Sequence, residues 1–184
     1  MSTILTVGHS SHSWAEFTRI LENNDVGCLI DVRSNPYSRW EHFSRPNLRI
    51  RLNEQGISYV HLGVTLGGKP KHGPTDYEAI AWTQNFNDGL DEVEAIASRC
   101  RVALCCAEHD PLTCHRFLLV SRHLAARGHD VLHIRRDGSV ETQTETEARL
   151  IKATGVSDDL FRSPEERLAE AYRLQERKLR GATR

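Results

Sequence analysis

Short apolar runs recur along the chain and alternate with stretches of helical pattern. The apolar runs lie at residues 4–7, 28–32, 57–61, 101–106 and 131–134. Each run is too short to span a membrane, and most are almost continuously apolar, which is typical of strands buried on both faces. The alternation predicts a single α/β domain with a mainly parallel sheet of about five strands and helices on both faces.

Capping residues predict where several helices begin. Ser13 and Glu16 have the spacing of a capping box, in which each side chain accepts a backbone N–H of the other residue. A helical pattern over residues 76–98 has an expected interruption at Asn87-Asp88-Gly89. Thr113 is predicted to cap the helix that follows the fourth strand.

The last part of the chain has a different character. Ser163 and Glu166 form a further capping box, and a highly charged helix with a narrow apolar stripe follows. Such a stripe is usually buried on the helix's own domain. We therefore expect an α/β core domain at residues 1–150 and a C-terminal helical extension at residues 151–184, packed on the same domain.

Composition narrows the classes of function. Lys and Arg number 24 and Asp and Glu 25, so a net charge of -1 gives no general attraction to nucleic acid or to an anionic membrane. The first ten residues lack the charged and long apolar regions of a signal peptide. Five cysteines, an odd number, argue against a disulfide framework. We expect a cytoplasmic protein with reduced thiols and no membrane partner.

Polar residues gather where the predicted strands end. The loops at the carboxyl ends of parallel strands converge, and ligands of such sheets bind there. Four predicted strands contribute to this rim, and its polar residues are His9, Ser10, Asp31, Arg33, His61, Cys106 and Glu108.

Four blocks of sequence carry a resemblance to a known family. TVGHS at 6–10, DVRSNPYSR at 31–39, HLGVTLGG at 61–68 and CAEHDPLTCHR at 106–116 resemble, in this order, the signature blocks of domain-of-unknown-function family 488. The segment DLFRSPEERLAEAY at 159–172 is also similar to members of that family. The resemblance implies an α/β domain with its motifs at the strand ends, and it implies no particular activity.

Two thiols are candidate nucleophiles. Cys106 ends the fourth strand, where nucleophiles of α/β enzymes often lie. Cys114 is expected in the first turn of a helix beside His115 and Arg116, an environment that favours the thiolate. The alternative for both is a small buried side chain, which is the interpretation we favour for Cys105. A redox pair of Cys106 and Cys114 requires the intervening loop to fold back.

Glu108 is the strongest candidate for acid/base chemistry. A carboxylate close to a buried strand needs a partner, and an arginine or His9 is expected beside it. Asp31 would act as a second carboxylate, with His9 or His61 as proton carriers. The alternative is an ion pair of Glu108 with an arginine that only holds loops together.

A metal site and a triphosphate site are disfavoured by spacing. Cys106, His109, Cys114 and His115 could supply soft ligands, but their spacing is unusual for zinc, and neighbouring residues of a helix point in different directions. The segment 63–69 begins like a phosphate-binding loop, yet Pro70 occupies the place of the Ser or Thr that binds magnesium. We therefore expect no metal and no cofactor, and a surface loop at 63–69.

The favoured hypothesis is an enzyme, a hydrolase or transferase, that acts on a small anionic or nucleotide-like molecule. The alternatives are a nucleic-acid or nucleotide-binding module, since Arg39 and Trp40 belong to a basic and aromatic cluster, and a metal-bound or thiol-redox regulator. Nucleic acid is the less favoured partner, and the oligomeric state is left open. The expected catalytic residues are Glu108, Asp31, His9, Cys106 and Cys114. The expected substrate-binding residues are Ser10, Arg33, Ser38, Arg39, His61, Gly67, Gly68, His115 and Arg116.

Overall fold

The computed structural model of the chain describes residues 1–158 and 162–181 and confirms the α/β fold class. The strands are β1 (Thr3–Gly8), β2 (Cys28–Asp31), β3 (Ser58–His61), β4 (Val102–Cys106), β5 (Asp130–Ile134) and β6 (Val140–Thr142). They form one sheet in the order β3-β2-β4-β1-β5-β6. The first five strands are parallel, as predicted. The short β6 is antiparallel to β5 and was not predicted, because it carries no apolar run.

Helices cover both faces of the sheet. They are α1 (Trp14–Asn23), α2 (Arg45–Glu54), α3 (Tyr77–Ala81), α4 (Gln84–Ala97), α5 (Arg122–Ala126), α6 (Gln143–Thr154) and α7 (Pro164–Gly181). The first two pack on one face, through side chains such as Phe17 and Leu48. The helices α3 to α5 pack on the other face, through side chains such as Phe86 and Leu124. A π-helical segment, Arg116–Ser121, leads into α5.

Two predicted helix features are wrong. The helical stretch breaks at Trp82-Thr83 rather than at residues 87–89, because the Thr83 hydroxyl accepts the Phe86 N–H at 3.2 Å and starts α4 there. Thr113 does not cap the helix after β4. It lies in a 3-10 turn, Pro111–Thr113, whose own cap is the Asp110 carboxylate.

The predicted capping boxes are present. Glu16 and Ser13 make both reciprocal bonds, and the Ser163 N–H donates to the Glu166 carboxylate at 2.8 Å. The helix α7 packs against α6, and the Gln175 amide donates to the Leu112 carbonyl at 2.8 Å. This contact ties α7 to the loop that follows β4.

The expected boundary between core and extension stays a prediction, and α6 runs across residue 150. Residues 159–161 and 182–184, which belong to the expected extension, lie outside the described residues. Within the described ranges, none of the helices combines the length and the apolar character needed to cross a membrane.

The candidate functional side chains at the rim of the sheet fall into two groups, one on each face of the sheet. Successive side chains of a strand point to opposite faces. Cys105 packs with the core under α1 and α2, whereas Cys106 packs with the core under α3 to α5. Residues that are neighbours in the sequence therefore contribute to separate clusters.

Candidate functional site

A buried ion pair occupies the rim on the α1–α2 face. The Asp31 carboxylate accepts from Arg33 Nη2 at 2.6 Å and from Arg33 Nε at 2.8 Å. It also accepts from the Arg33 backbone N–H at 3.1 Å and from the Tyr59 hydroxyl at 2.8 Å. The Asp31 and Arg33 side chains are 0% and 4% exposed. Four donors thus surround two oxygens, as a buried carboxylate requires.

His9 extends this arrangement, and we call Asp31, Arg33, Tyr59 and His9 the ion-pair network. Arg33 Nη1 lies 3.1 Å from His9 Nε2, and His9 Nδ1 lies 3.1 Å from the Ser10 carbonyl oxygen. Because a guanidinium only donates, Nε2 is the acceptor and Nδ1 carries the proton. Burial, and then the Arg33 charge, lower the pKa of His9 to about 4. His9 is therefore neutral near pH 7, with both nitrogens engaged.

The rim continues past the ends of β1 and β4. The Ser10 N–H donates to the Ala107 carbonyl at 2.9 Å, and Ser10 has a left-handed backbone with φ 45°. A Cβ at Gly8 would lie 1.9 Å from the Glu108 carbonyl oxygen, so only glycine permits this approach. The residues after both strands are thereby held side by side.

Arg116 fixes the loop that carries Glu108. Its fully buried guanidinium donates to the carbonyl oxygens of Glu108 and His109, the latter at 3.0 Å. The expected pairing of Glu108 with an arginine is wrong within the described part of the chain. Arg33 pairs with Asp31, Arg116 binds the Glu108 backbone, and the Glu108 side chain is exposed. Arg116 Nε is buried without a hydrogen-bond partner among the described residues.

A cluster of two thiols and an imidazole lies on the α3–α5 face of the rim. Cys106 Sγ is 3.6 Å and Cys114 Sγ 3.9 Å from His115 Nδ1, and the three atoms lie within 4.8 Å of one another. We call Cys106, Cys114 and His115 the thiol cluster. Cys106 and Cys114 are 6% and 2% exposed. His109, the fourth candidate metal ligand, is exposed and lies outside the cluster.

The backbone at Cys114 explains this convergence. Cys114 is extended, with φ -135° and ψ 139°, and its carbonyl accepts the N–H groups of Phe117 and Leu118. Cys114 thus immediately precedes the helix, in the capping position. The prediction that Cys114 and His115 point in different directions is therefore wrong, because it assumed that both residues lie inside a regular helix.

Hydrogen bonds fix the orientation of the His115 ring. Its Nε2 lies 2.9 Å from the Val32 carbonyl oxygen. A carbonyl only accepts, so Nε2 carries a proton, and in the neutral imidazole Nδ1 presents a lone pair to both sulfur atoms. A Cβ at Gly68 would lie 2.6 Å from His115 Cβ. The 63–69 segment is irregular, with Val64 and Lys69 exposed as a surface loop requires, but it also packs on the imidazole through Gly68 and buries Leu66 fully.

The two thiols differ in their electrostatic surroundings. The interaction with Cys114, together with burial, raises the pKa of the Cys106 thiol. Burial alone would raise the pKa of Cys114, but the Cys106 thiol and the Arg116 charge lower it well below the ordinary value. The Arg116 N–H also lies 3.5 Å from Cys114 Sγ. Cys114 is accordingly the more readily ionised thiol of the pair.

The other expected binding residues make contacts of their own. Ser38 Oγ accepts the Trp40 N–H at 3.1 Å, and Arg39 is exposed and stacks over the Trp40 ring at 5.3 Å. His61 Nε2 donates to the Arg33 carbonyl at 3.0 Å, and a Cβ at Gly67 would lie 2.3 Å from Ser34 Oγ. Their expected part in substrate binding stays a prediction.

Sequence reasoning missed Tyr77. A Cβ at Gly68 would lie 3.3 Å from the Tyr77 hydroxyl, and Tyr77 packs against the apolar cluster that contains both thiols. Burial raises the pKa of Tyr77, and the nearby Cys114 raises it further. The residue lies at the start of α3, away from any strand end, so neither its type nor its position in the sequence signals a site.

An open cleft lies elsewhere on the rim. It has a volume of about 480 Å³ and is lined by His109, Arg135, Arg136 and Asp137. Arg135 is bound to Glu141 at 2.9 Å, whereas Arg136 donates to the Ser11 hydroxyl at 3.1 Å. The cleft and the thiol cluster both adjoin the segment 106–116.

Comparison with known proteins gives a family and no activity. Neither a curated protein nor a solved structure matches the chain. The family model described as "Domain of unknown function DUF488" matches residues 13–123, a range that contains the thiol cluster and both members of the Asp31–Arg33 pair. His9 and Ser10 precede the matched range. The chain therefore belongs to the DUF488 family of domains of unknown function, the family that its four sequence blocks resemble.

Proposed function

We propose that the chain is an enzyme that acts on a small anionic molecule, with the Cys114 thiolate as nucleophile and His115 as proton acceptor and donor. The observation that carries this proposal is the approach of both sulfur atoms to Nδ1 of His115, at 3.6 and 3.9 Å. A nucleophile beside a base, with the base oriented by a third group, is the arrangement of covalent catalysis. The Val32 carbonyl is the orienting group here.

The opposite pKa shifts of the two thiols support a division of roles. When two titratable groups are driven apart in pKa, one is prepared to attack and the other to supply a proton. Cys114, with the lowered pKa, is the nucleophile, and Cys106, with the raised pKa, keeps its proton beside it. The position of Cys114 before a helix adds the favourable partial charge of the helix N-terminus.

Charges near the 480 Å³ cleft support an anionic substrate. Arg135 and Arg136 line this cleft together with one carboxylate, Asp137, and Arg136 has no ion pair among the described residues. Glu108, whose side chain is exposed on the same loop, is the candidate for further acid/base steps. In this proposal the ion-pair network supports the rim, since the hydrogen bonds of Asp31, Arg33 and His9 are already used within the protein.

The reactivity of the thiols tests the nucleophile without knowledge of the substrate. The reduced, metal-free protein is treated with iodoacetamide at pH 7, and alkylation is followed for each cysteine by peptide mass spectrometry. Cys114 should react at least about ten times faster than Cys105, which is equally buried and whose pKa burial raises to about 12. Equal rates at the two residues would contradict the assignment.

Turnover tests the enzymatic part. A panel of phosphate esters, nucleotides and carboxylic esters is offered to the protein, and any activity is compared in Cys114→Ser and Cys105→Ser variants. We expect a loss of at least about 100-fold in Cys114→Ser and near-normal activity in Cys105→Ser, whose side chain lies on the opposite face. Normal turnover in Cys114→Ser would remove Cys114 from the mechanism.

A further inference from the structure

We infer that Cys106, Cys114 and His115 form a binding site for one Zn²⁺ ion, and that the filled site masks the Cys114 sulfur. The masking rests on the proposed function, because it concerns the same nucleophile. The metal site itself rests on the geometry of three side chains and would stand without any enzymatic activity.

The two sulfur–nitrogen distances are close to those of a tetrahedral zinc site. Zinc lies about 2.3 Å from a thiolate sulfur and about 2.0 to 2.1 Å from an imidazole nitrogen, so a tetrahedral ion separates sulfur from nitrogen by about 3.6 Å. The corresponding distances here are 3.6 Å for Cys106 and 3.9 Å for Cys114, and all three atoms lie within 4.8 Å of one another. Only a small closure around an ion is required.

The tautomer of His115 is an independent indication of a ligand. A metal-binding histidine almost always donates its other ring N–H to a carboxylate, a backbone carbonyl or water, which orients the ring and prepares the free nitrogen. His115 Nε2 donates to the Val32 carbonyl at 2.9 Å, and Nδ1 faces the two sulfur atoms. Gly68, packed against His115 Cβ, limits the movement of the ring.

The chemistry of the three ligands favours zinc. Two thiolates with one imidazole form a soft donor set that suits Zn²⁺, and three protein ligands leave one coordination position open. Binding would release the Cys106 proton to solvent, and the two thiolates would then balance the charge of the ion. The Arg116 N–H, 3.5 Å from Cys114 Sγ, would donate a hydrogen bond to the zinc-bound sulfur.

The unusual sequence spacing has a structural explanation. Cys106 ends β4, the 3-10 turn Pro111–Thr113 brings the chain back, and extended Cys114 then places its side chain beside that of His115. A spacing rule derived from regular zinc hairpins does not include this path, which explains why the sequence argued against a metal.

Masking follows from coordination. A sulfur atom that donates its lone pair to zinc is a weaker nucleophile, so an occupied site should suppress alkylation of Cys114. In the metal-free protein the same sulfur faces a thiol, an imidazole and a backbone N–H. Zinc would therefore regulate the reactivity that the proposed function assigns to Cys114.

Cobalt titration tests the site directly. The reduced, metal-free chain is titrated with Co²⁺, and the thiolate-to-cobalt charge-transfer absorption is measured. We expect saturation at one cobalt per chain and its displacement by Zn²⁺. Cys106→Ser and Cys114→Ser should each weaken binding by more than about 100-fold, beyond what outer-shell changes cause, while Cys105→Ser should bind normally. Circular dichroism shows which variants are folded.

A second measurement uses the unaltered protein, so it does not depend on variants that fold. Zn²⁺ should protect Cys106 and Cys114 from iodoacetamide and leave the exposed Cys100 reactive. Absence of the charge-transfer band, equal loss in Cys105→Ser, or unprotected thiols would each overturn the proposal. If cobalt binds but metal-free Cys114 reacts no faster than Cys105, the metal site stands and the proposed nucleophile falls.

Discussion

The ion-pair network and the thiol cluster lie at the same end of the sheet, on opposite faces, and they differ in how far their polar groups are satisfied. In the network, Asp31 accepts four hydrogen bonds, and both nitrogens of His9 are engaged. In the thiol cluster, one nitrogen and two sulfur atoms face one another, and the Arg116 N–H lies near Cys114 Sγ. A saturated cluster stabilises the fold, whereas an unsaturated one can accept a ligand.

The comparison also shows that the most buried positive charges of the rim are not the groups left available to a ligand. Arg33 and Arg116 are the most buried guanidinium groups of the rim. Their charge in the sequence suggests that they bind an anionic substrate. Both are already bound, Arg33 to a carboxylate and Arg116 to two backbone carbonyls. The atoms that can still accept a ligand are instead the sulfur and nitrogen atoms of the thiol cluster, whose side chains have no opposite charge paired with them in the sequence.

The largest expected effect comes from removing one member of the buried pair. Asp31→Ala leaves the Arg33 guanidinium buried without its counter-charge, which should reduce the free energy of unfolding by about 3 to 5 kcal/mol. Urea denaturation at pH 7 measures the change. Thiol reactivity of any folded fraction should be retained, because Cys114 lies on the other face.

An exposed ion pair provides the control for Asp31→Ala. Arg127 binds Asp91 at 2.6 Å and Glu94 at 3.2 Å at the surface. Arg127→Ala should therefore change stability by less than about 1 kcal/mol. If Asp31→Ala were as mild as Arg127→Ala, the network would not be the stabilising region that the comparison requires.

The sequence predicted the framework better than the site. Apolar runs and capping residues are local signals, so the five parallel strands and the helix starts at Ser13 and Ser163 could be predicted. Alternation along β4 could also have placed Cys105 and Cys106 on opposite faces. The short β6 lacked such a signal, because its pairing with β5 depends on the turn at Asp137-Gly138 and not on burial.

The orientation of the thiol cluster depended on non-local contacts. The 3-10 turn after Asp110 moved the helix start from Thr113 to beyond Cys114, and only then do Cys114 and His115 face the same point. The partners of His115 and Arg116 are backbone carbonyls, at Val32, Glu108 and His109. A backbone carbonyl exists at every position, so no sequence pattern distinguishes these three.

Acid should weaken the network before it affects the carboxylates. The pKa of His9 is about 4 when folded and about 6.5 when unfolded, so between these values the unfolded state binds the extra proton. Stability is therefore full above pH 6.5 and falls as the pH is lowered towards 4. The slope from this group should approach 1.4 kcal/mol per pH unit, about 3 kcal/mol in all. Denaturation midpoints between pH 7 and 5 measure it.

His9→Gln isolates this contribution. The charges that face His9 are those of Arg33, Asp31 and His42, and buried His133 has a similarly lowered pKa of about 4. The variant should retain the slope due to His133 and lose the part due to His9. An unchanged pH dependence would show that His9 is not held neutral by its surroundings.

Among the variants at the rim, the smallest stability effect should accompany a specific effect on the thiol cluster. In Gly68→Ala, the new methyl group would lie 2.6 Å from His115 Cβ, so the imidazole must shift. Overpacking of this kind costs about 1 to 3 kcal/mol, and the displaced Nδ1 should weaken Co²⁺ binding.

Gly181→Ala, where no atom lies within 4 Å of the added Cβ, is the matched control. Because Gly68 touches His115 and not the network, the pH slope of His9 should be retained. Cobalt binding unchanged from the wild type in Gly68→Ala would show that the position of His115 does not determine the metal site.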